Sequence, residues 1–182
     1  MTLTLLLGGA RSGKSRLAQG LASTAPGAVT VIATAEARDD EMAARIAAHR
    51  RERPPGWTTV EEPLELASAL AAVEAGRTVV VDCLTVWVSN LLEQTGAVAD
   101  VVERGAAAAA VASARAGSTI AVSNEVGLGI VPEAPLVRAY RDALGEVNRL
   151  WADAAERAWL VVAGRLLPLA PAGTILGRAG DG

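Results

Sequence analysis

Thr2-Leu3-Thr4-Leu5-Leu6-Leu7 runs directly into Gly8-Gly9-Ala10-Arg11-Ser12-Gly13-Lys14-Ser15. The first six residues form a short apolar run of the kind found in a strand buried on both faces. The next eight match G-x-x-x-x-G-K-[ST] in full, and Lys14 to Ser23 reads as a helix. The glycines allow successive backbone N–H groups to curl around a phosphate, and the helix N-terminus adds a positive dipole end. In this arrangement Lys14 reaches the β and γ phosphates, and the Ser15 hydroxyl binds Mg²⁺. Of the 17 basic residues, 16 are Arg and one is Lys. That single lysine occupies the motif position that calls for a slim, flexible ammonium.

A phosphate loop requires a second group to hold the metal. Thr78-Val79-Val80-Val81-Asp82 is an apolar strand ending in an acid, the Walker B layout, which makes Asp82 the second metal-binding residue. The lesser alternative is that Asp82 caps the following helix. The two motifs imply a site for ATP or GTP and leave the phosphate acceptor unspecified.

Outward from this centre, apolar strands alternate with helical patterns. Strands are expected at Val29–Thr34, Trp57–Val60, Ser118–Ser123 and Trp159–Ala163. Helices are expected from about Glu41 to Glu52 behind an Asp39-Asp40 cap, and at Pro63–Ala75, Leu84–Glu93, Val101–Ala116 and Leu136–Ala158. Asn124–Glu133 is a glycine-bearing loop. The alternation predicts an α/β fold with a mainly parallel sheet flanked by helices. The whole chain, 1–182, reads as one phosphate-loop domain, with a loose tail after about residue 168.

Composition narrows the function. Hydrophobic residues make up 51% and charged residues 20%, enough apolar material for a sizeable core. The net charge of −3 speaks against a broad nucleic-acid footprint. One cysteine, Cys83, excludes an intrachain disulfide and a Cys-rich zinc site, and fits a reducing, cytoplasmic compartment. The longest uncharged stretch, Leu17 to Ala35, contains Gln19, Ser23, Thr24 and Pro26-Gly27 and is no membrane span. Met1 to Leu7 lacks the basic start of a signal peptide.

His49 is the only histidine. On a helix it falls between an apolar stripe of Met42 and Ile46 and a charged stripe of Glu41 and Arg45. No second His or Cys stands near enough in sequence for a zinc site. A neutral imidazole is also a competent nucleophile towards phosphorus. From spacing alone, a boundary histidine with no chemical task is the commoner reading. Arg45, Arg50, Arg51 and Arg53 are phosphate ligands or a solvated helix face.

The segments GGARSGKS (8–15), IATAEARDDEMAARIAAHR (32–50), RPPGWTTVEEP (53–63) and SNEVGLGIVPE (123–133) resemble the bifunctional adenosylcobinamide kinase/adenosylcobinamide-phosphate guanylyltransferase family of cobalamin biosynthesis. The resemblance spans nearly the whole chain in the same order. It implies a single phosphate-loop domain with a RecA-like sheet, assembled as a homotrimer. It also implies two reactions. A nucleoside triphosphate phosphorylates the aminopropanol hydroxyl of adenosylcobinamide; GTP then transfers GMP to that phosphate through a guanylyl-histidine, releasing pyrophosphate. By resemblance, the nucleophile is His49 and Lys14 acts with it. Nucleotide contacts are Gly8, Gly9, Ala10, Arg11, Ser12, Gly13, Lys14 and Ser15, with Ala33, Thr34, Ala35, Arg50, Arg51, Glu52, Arg53, Glu61 and Asp82. Gln19 departs from the glutamate that many members carry there. Asn124 and Glu125 follow an expected strand end, where they face substrate or metal or cap their own loop. Two other functions compete. One is a small-molecule kinase in which His49 is idle. The other is a nucleotide-driven switch, which would call for an N-K-x-D motif that the chain lacks.

Overall fold

The computed structural model describes residues 2–173. Seven strands form one sheet in the order β3-β2-β4-β5-β1-β6-β7. They are β1 (Thr2–Leu7), β2 (Val29–Ala33), β3 (Thr58–Glu61), β4 (Thr78–Asp82), β5 (Ser118–Val122), β6 (Arg157–Val162) and β7 (Arg165–Pro168). All neighbouring pairs are parallel except β6–β7. The helices are α1 (Lys14–Thr24), α2 (Asp40–Arg51), α3 (Leu66–Ala72), α4 (Leu84–Thr95), α5 (Val98–Ala114) and α6 (Pro135–Ala154).

Side-chain alternation along the central strands divides the core in two. Leu3, Leu5 and Leu7 of β1 point with Val79 and Val81 of β4 into the cluster formed with α3, α4, α5 and α6. Leu6, Val80, Ile120 and Val122 point to the other face, where Ala18 and Ala22 of α1 cover them. Burial on both faces explains why these strands are continuous apolar runs. Trp87 and Trp151 are fully buried in the larger cluster. Among the described residues no helix is long and apolar enough to cross a membrane.

The sheet differs from expectation at its far edge. The helix expected to reach Ala158 ends at Ala154, although the sequence Ala154-Ala155-Glu156-Arg157-Ala158 favours helix. A tertiary bond overrides that propensity: the Glu156 amide donates to the Leu3 carbonyl at 3.0 Å, which starts β6 alongside β1. β7 was not expected at all. Ala163 and Gly164, with φ of 49° and 71°, make a two-residue turn that folds Arg165–Pro168 back on β6. Pro168 therefore closes a strand, and the Leu169 amide donates to the Ala158 carbonyl at 2.9 Å. The expected loose tail otherwise falls largely on residues 174–182, outside the described residues. The expected 63–75 helix is shorter because Glu62 Oε1 accepts from the amides of Leu64 and Glu65, holding that stretch as a turn.

This order places β5 between β1 and β4, with Leu6 and Asp82 both level with Val122. The phosphate-loop strand and the acid-bearing strand thus end at one height, roughly 10 Å apart by the normal strand spacing. The carboxyl ends of β1, β4 and β5 open together on one edge of the sheet, where ligands gather in open α/β folds.

Candidate active site

The loop between β1 and α1 is built for close backbone approach. A Cβ on Gly8 would lie 2.3 Å from the Val161 carbonyl oxygen, so no side chain fits there. Gly13 precedes α1 with φ of 100°, and no side chain caps the helix, which leaves its first N–H groups facing the loop. The ammonium of Lys14 donates to the carbonyls of Gly8 and Gly9, each at 2.7 Å. Burial lowers the Lys14 pKa, opposed by Cys83 and Asp82. A desolvated cation at a helix N-terminus gains strongly from an anion. The β6–β7 turn braces this loop, since the Gly164 amide donates to the Ser12 carbonyl at 2.8 Å.

Two cavities meet beside the loop. The larger, about 780 Å³, runs along Ala10 to Ser15 and reaches Arg45, His49, Glu52 and Asp82. The smaller, about 230 Å³, lies beyond it and has a mostly apolar wall of Ala33, Ala35, Met42, Ile46 and Val86. Arg45, His49, Asp82, Cys83 and Asn124 line both. Helix α2 makes this possible. Asp39 caps it, its Oδ1 accepting from the Met42 amide at 2.7 Å, and none of its residues is buried. Met42, Ile46 and His49 face the smaller cavity, while Arg45, His49 and Glu52 face the larger one. His49 stands where these two helical stripes cross.

Most of the predicted site residues line one or both cavities, and the others do not. Ala10 to Ser15 and Glu52 border the larger cavity, Ala33, Ala35 and Arg53 the smaller, and His49 and Asp82 both. Arg53 also donates to Thr59 Oγ1 at 2.9 Å, and burial lowers its pKa, opposed by Asp82 and reinforced by Arg50. Gly8 and Gly9 supply the carbonyls that hold Lys14. Thr34 is fully buried, its hydroxyl donating to the Cys83 carbonyl at 2.8 Å and accepting from the Cys83 amide, so it ties β2 to β4. Arg50 and Glu61 pair with each other on the exposed surface and, with Arg51, line neither cavity. Asn124 sits in the shared wall. Its amide donates to Thr85 Oγ1 at 2.7 Å, and its carbonyl accepts from Asn148 Nδ2 at 2.9 Å. Glu125 turns away, its Oε1 accepting from the Gly127 amide at 2.6 Å. Sequence reasoning missed Met42, Thr85 and the Ala163-Gly164 turn. The only available signal was the helical spacing of Met42 with His49.

The Gly8 geometry gives a direct prediction. Gly8→Ala forces a methyl group against a fixed carbonyl, and is expected to cost about 2 kcal/mol and lower Tm by roughly 6 °C. Nucleotide affinity should fall with it. Thermal unfolding with and without ATP checks this; an unchanged Tm contradicts the close approach.

Residues 4–169 match the family model described as cobinamide kinase / cobinamide phosphate guanyltransferase. The chain is 49% identical over 166 residues to the bifunctional adenosylcobalamin biosynthesis protein CobP of Pseudomonas aeruginosa, covering 91% of this chain and 95% of that one. It is 43% identical over 175 residues to the bifunctional adenosylcobalamin biosynthesis protein CobU of Escherichia coli, covering 89% and 96%. Among solved structures, an ATPase of a bacterial type III secretion system shares the fold with a TM-score of 0.54 and 10% identity, over 98% of this chain and 61% of that one. A Pyrococcus horikoshii protein gives the same TM-score at 8% identity, over 92% and 85%. With a phosphate loop, a strand-end acid and a matching family model over most of its length, the chain belongs to the cobinamide kinase / cobinamide phosphate guanyltransferase family.

Proposed function

We propose that this one cleft carries out both reactions: phosphorylation of the aminopropanol hydroxyl of adenosylcobinamide by ATP or GTP, then transfer of GMP from GTP to that phosphate through a guanylyl-His49. The observation that carries the proposal is the position of His49 on the wall common to both cavities. A triphosphate cradled by Ala10 to Ser15 runs towards that wall, which also carries Arg45 and Asp82. The smaller apolar cavity is of a size to receive a purine base, against Ala33, Ala35 and Ile46. Arg53 and Glu52 complete the nucleotide contacts. Arg50, Arg51 and Glu61 act from outside the cleft, the Arg50–Glu61 pair fixing the end of α2 against β3.

In phosphorylation, Lys14 and the loop N–H groups offset charge on the transferring phosphoryl group, and positioning supplies the remainder. Mg²⁺ would be held by Ser15 and Asp82, which face one small pocket. Two oxygen ligands suit an ion that keeps water and phosphate in its shell. Bound there, Mg²⁺ would neutralise phosphate charge. In guanylyl transfer, His49 attacks the α-phosphorus and pyrophosphate leaves. The homotrimer is supported by the family resemblance and by the exposed apolar side chains of Leu128, Ile130, Val131 and Leu136. A cytoplasmic setting is supported by the single free cysteine.

Purified protein given adenosylcobinamide, ATP, GTP and Mg²⁺ should yield the phosphate first and adenosyl-GDP-cobinamide second, separated by chromatography. Phosphate alone would leave a kinase without guanylyl transfer.

A further inference from the structure

We infer that Asp82 orients His49 so that Nε2, and not Nδ1, is the atom that becomes guanylylated; this rests on the guanylyl-histidine reading above. Nδ1 of His49 lies 3.8 Å from Oδ2 of Asp82. That is ion-pair range and longer than a hydrogen bond, and contacts between catalytic groups are commonly this long before substrate binds. Among the described residues Asp82 makes no ion pair with Lys or Arg; His49 is its one partner.

The carboxylate is the fixed member of the pair. Asp82 ends β4, in register with Ala33 on one side and Val122 on the other, and its carbonyl accepts from the Thr34 amide at 3.2 Å. His49 rides on α2, which has no buried residue and so depends on contacts such as this one for its placement. Met42, Ile46 and Arg45 lie with His49 on the same helix, while Arg53, just past its end, and Cys83 and Asn124, just past β4 and β5, line the same cavity. Asp82 is the one carboxylate among these groups; Glu52, which lines the larger cavity with His49, makes no ion pair with it.

A carboxylate beside Nδ1 holds the ring proton on that nitrogen and leaves the Nε2 lone pair free on the other side of the ring. The Nε2 pair then attacks the α-phosphorus of GTP. The N–P bond forms as the P–O bond to the β-phosphate breaks, and that electron pair leaves with pyrophosphate. The ring becomes a cationic guanylyl-imidazolium, still protonated at Nδ1, and Asp82 offsets its charge. In the second half, a phosphate oxygen of adenosylcobinamide phosphate attacks the same phosphorus. The N–P pair returns to Nε2, and the neutral ring is restored without any proton having left Nδ1. A single carboxylate would thus serve the metal in both reactions and His49 in guanylyl transfer.

The wild-type protein, loaded with GTP and Mg²⁺, denatured in alkali and digested, contains one histidine-bearing peptide. Phosphorus–proton NMR of that peptide reports which nitrogen carries the phosphorus. Phosphorus on Nε2 alone is the expected result. Phosphorus on Nδ1, or on both nitrogens, overturns the role of Asp82 while leaving the guanylyl-histidine intact. No adduct on His49 overturns the guanylyl-histidine reading, and this inference with it. Asp82→Asn supplies the second readout. Its amide can still accept from Nδ1–H but cannot offset the imidazolium charge. Both reactions should weaken through the lost metal ligand, but guanylyl transfer should fall about 100-fold or more further than phosphorylation at saturating Mg²⁺, because it alone also loses the charged partner that orients His49. A defect of equal size in both reactions overturns the separate role.

Discussion

Lys14→Ala is expected to remove phosphorylation and guanylyl transfer together. Both reactions transfer phosphorus from a triphosphate held in the same loop, and in both the negative charge on the leaving side grows as the bond breaks. The ammonium is held within the loop by the Gly8 and Gly9 carbonyls at 2.7 Å and lies 3.4 Å from Ser12 Oγ, so it reaches a phosphate by exchanging one of these partners. Its loss should cost about 3–4 kcal/mol of transition-state stabilisation, or 10²–10³ in each rate. The fold should persist, because the contacts of the Lys14 ammonium are with loop atoms and not with the core. Far-UV circular dichroism and the two product assays check this. Near-normal turnover in either reaction would contradict a shared phosphate loop.

His49→Asn is expected to separate the two activities. Phosphorylation uses the substrate hydroxyl as nucleophile and has no need of an imidazole. Guanylyl transfer through a covalent intermediate requires one, since an amide forms no stable phosphoramidate. The substitution should also be structurally mild, because His49 is 35% exposed in its side chain and α2 contributes nothing to the core. Phosphorylated cobinamide should accumulate at close to the normal rate while adenosyl-GDP-cobinamide falls by about 10³-fold or more, in the range for loss of a catalytic nucleophile. Equal loss of both products would mean that His49 acts by shaping the shared wall instead of by attack.

Much of this arrangement was legible in the sequence, and the exceptions share a cause. The phosphate loop is local: strand, glycine turn and helix are contiguous, so one pattern identifies all of them. β1 and β4 read correctly because burial on both faces leaves an unbroken apolar run. The cap of α2 was visible as Asp39 before a helical stripe. The β6–β7 hairpin was not, because its turn is Ala163-Gly164, and only one of its two residues is of the type that favours positive φ. The end of α6 depends on a bond from Glu156 to Leu3 at the opposite end of the chain. Within the site, the motifs named the groups but not their neighbours. Asp82 was read as a metal ligand or a helix cap; its proximity to His49 follows from how α2 crosses the strand ends, which no local pattern encodes. Arg50 and Glu61 lay close to functional segments in sequence, yet the twist of α2 turns Arg50 outwards to meet Glu61 at the edge of the sheet.

The most direct measurement is covalent labelling. Wild-type protein and His49→Asn are incubated in parallel with α-labelled GTP and Mg²⁺, denatured, and treated with acid or alkali. The wild type should carry a label that withstands alkali and is lost in acid, the behaviour of a phosphoramidate, and His49→Asn should carry none. An unlabelled wild type, or an equal label on His49→Asn, would contradict His49 as the nucleophile of the cleft.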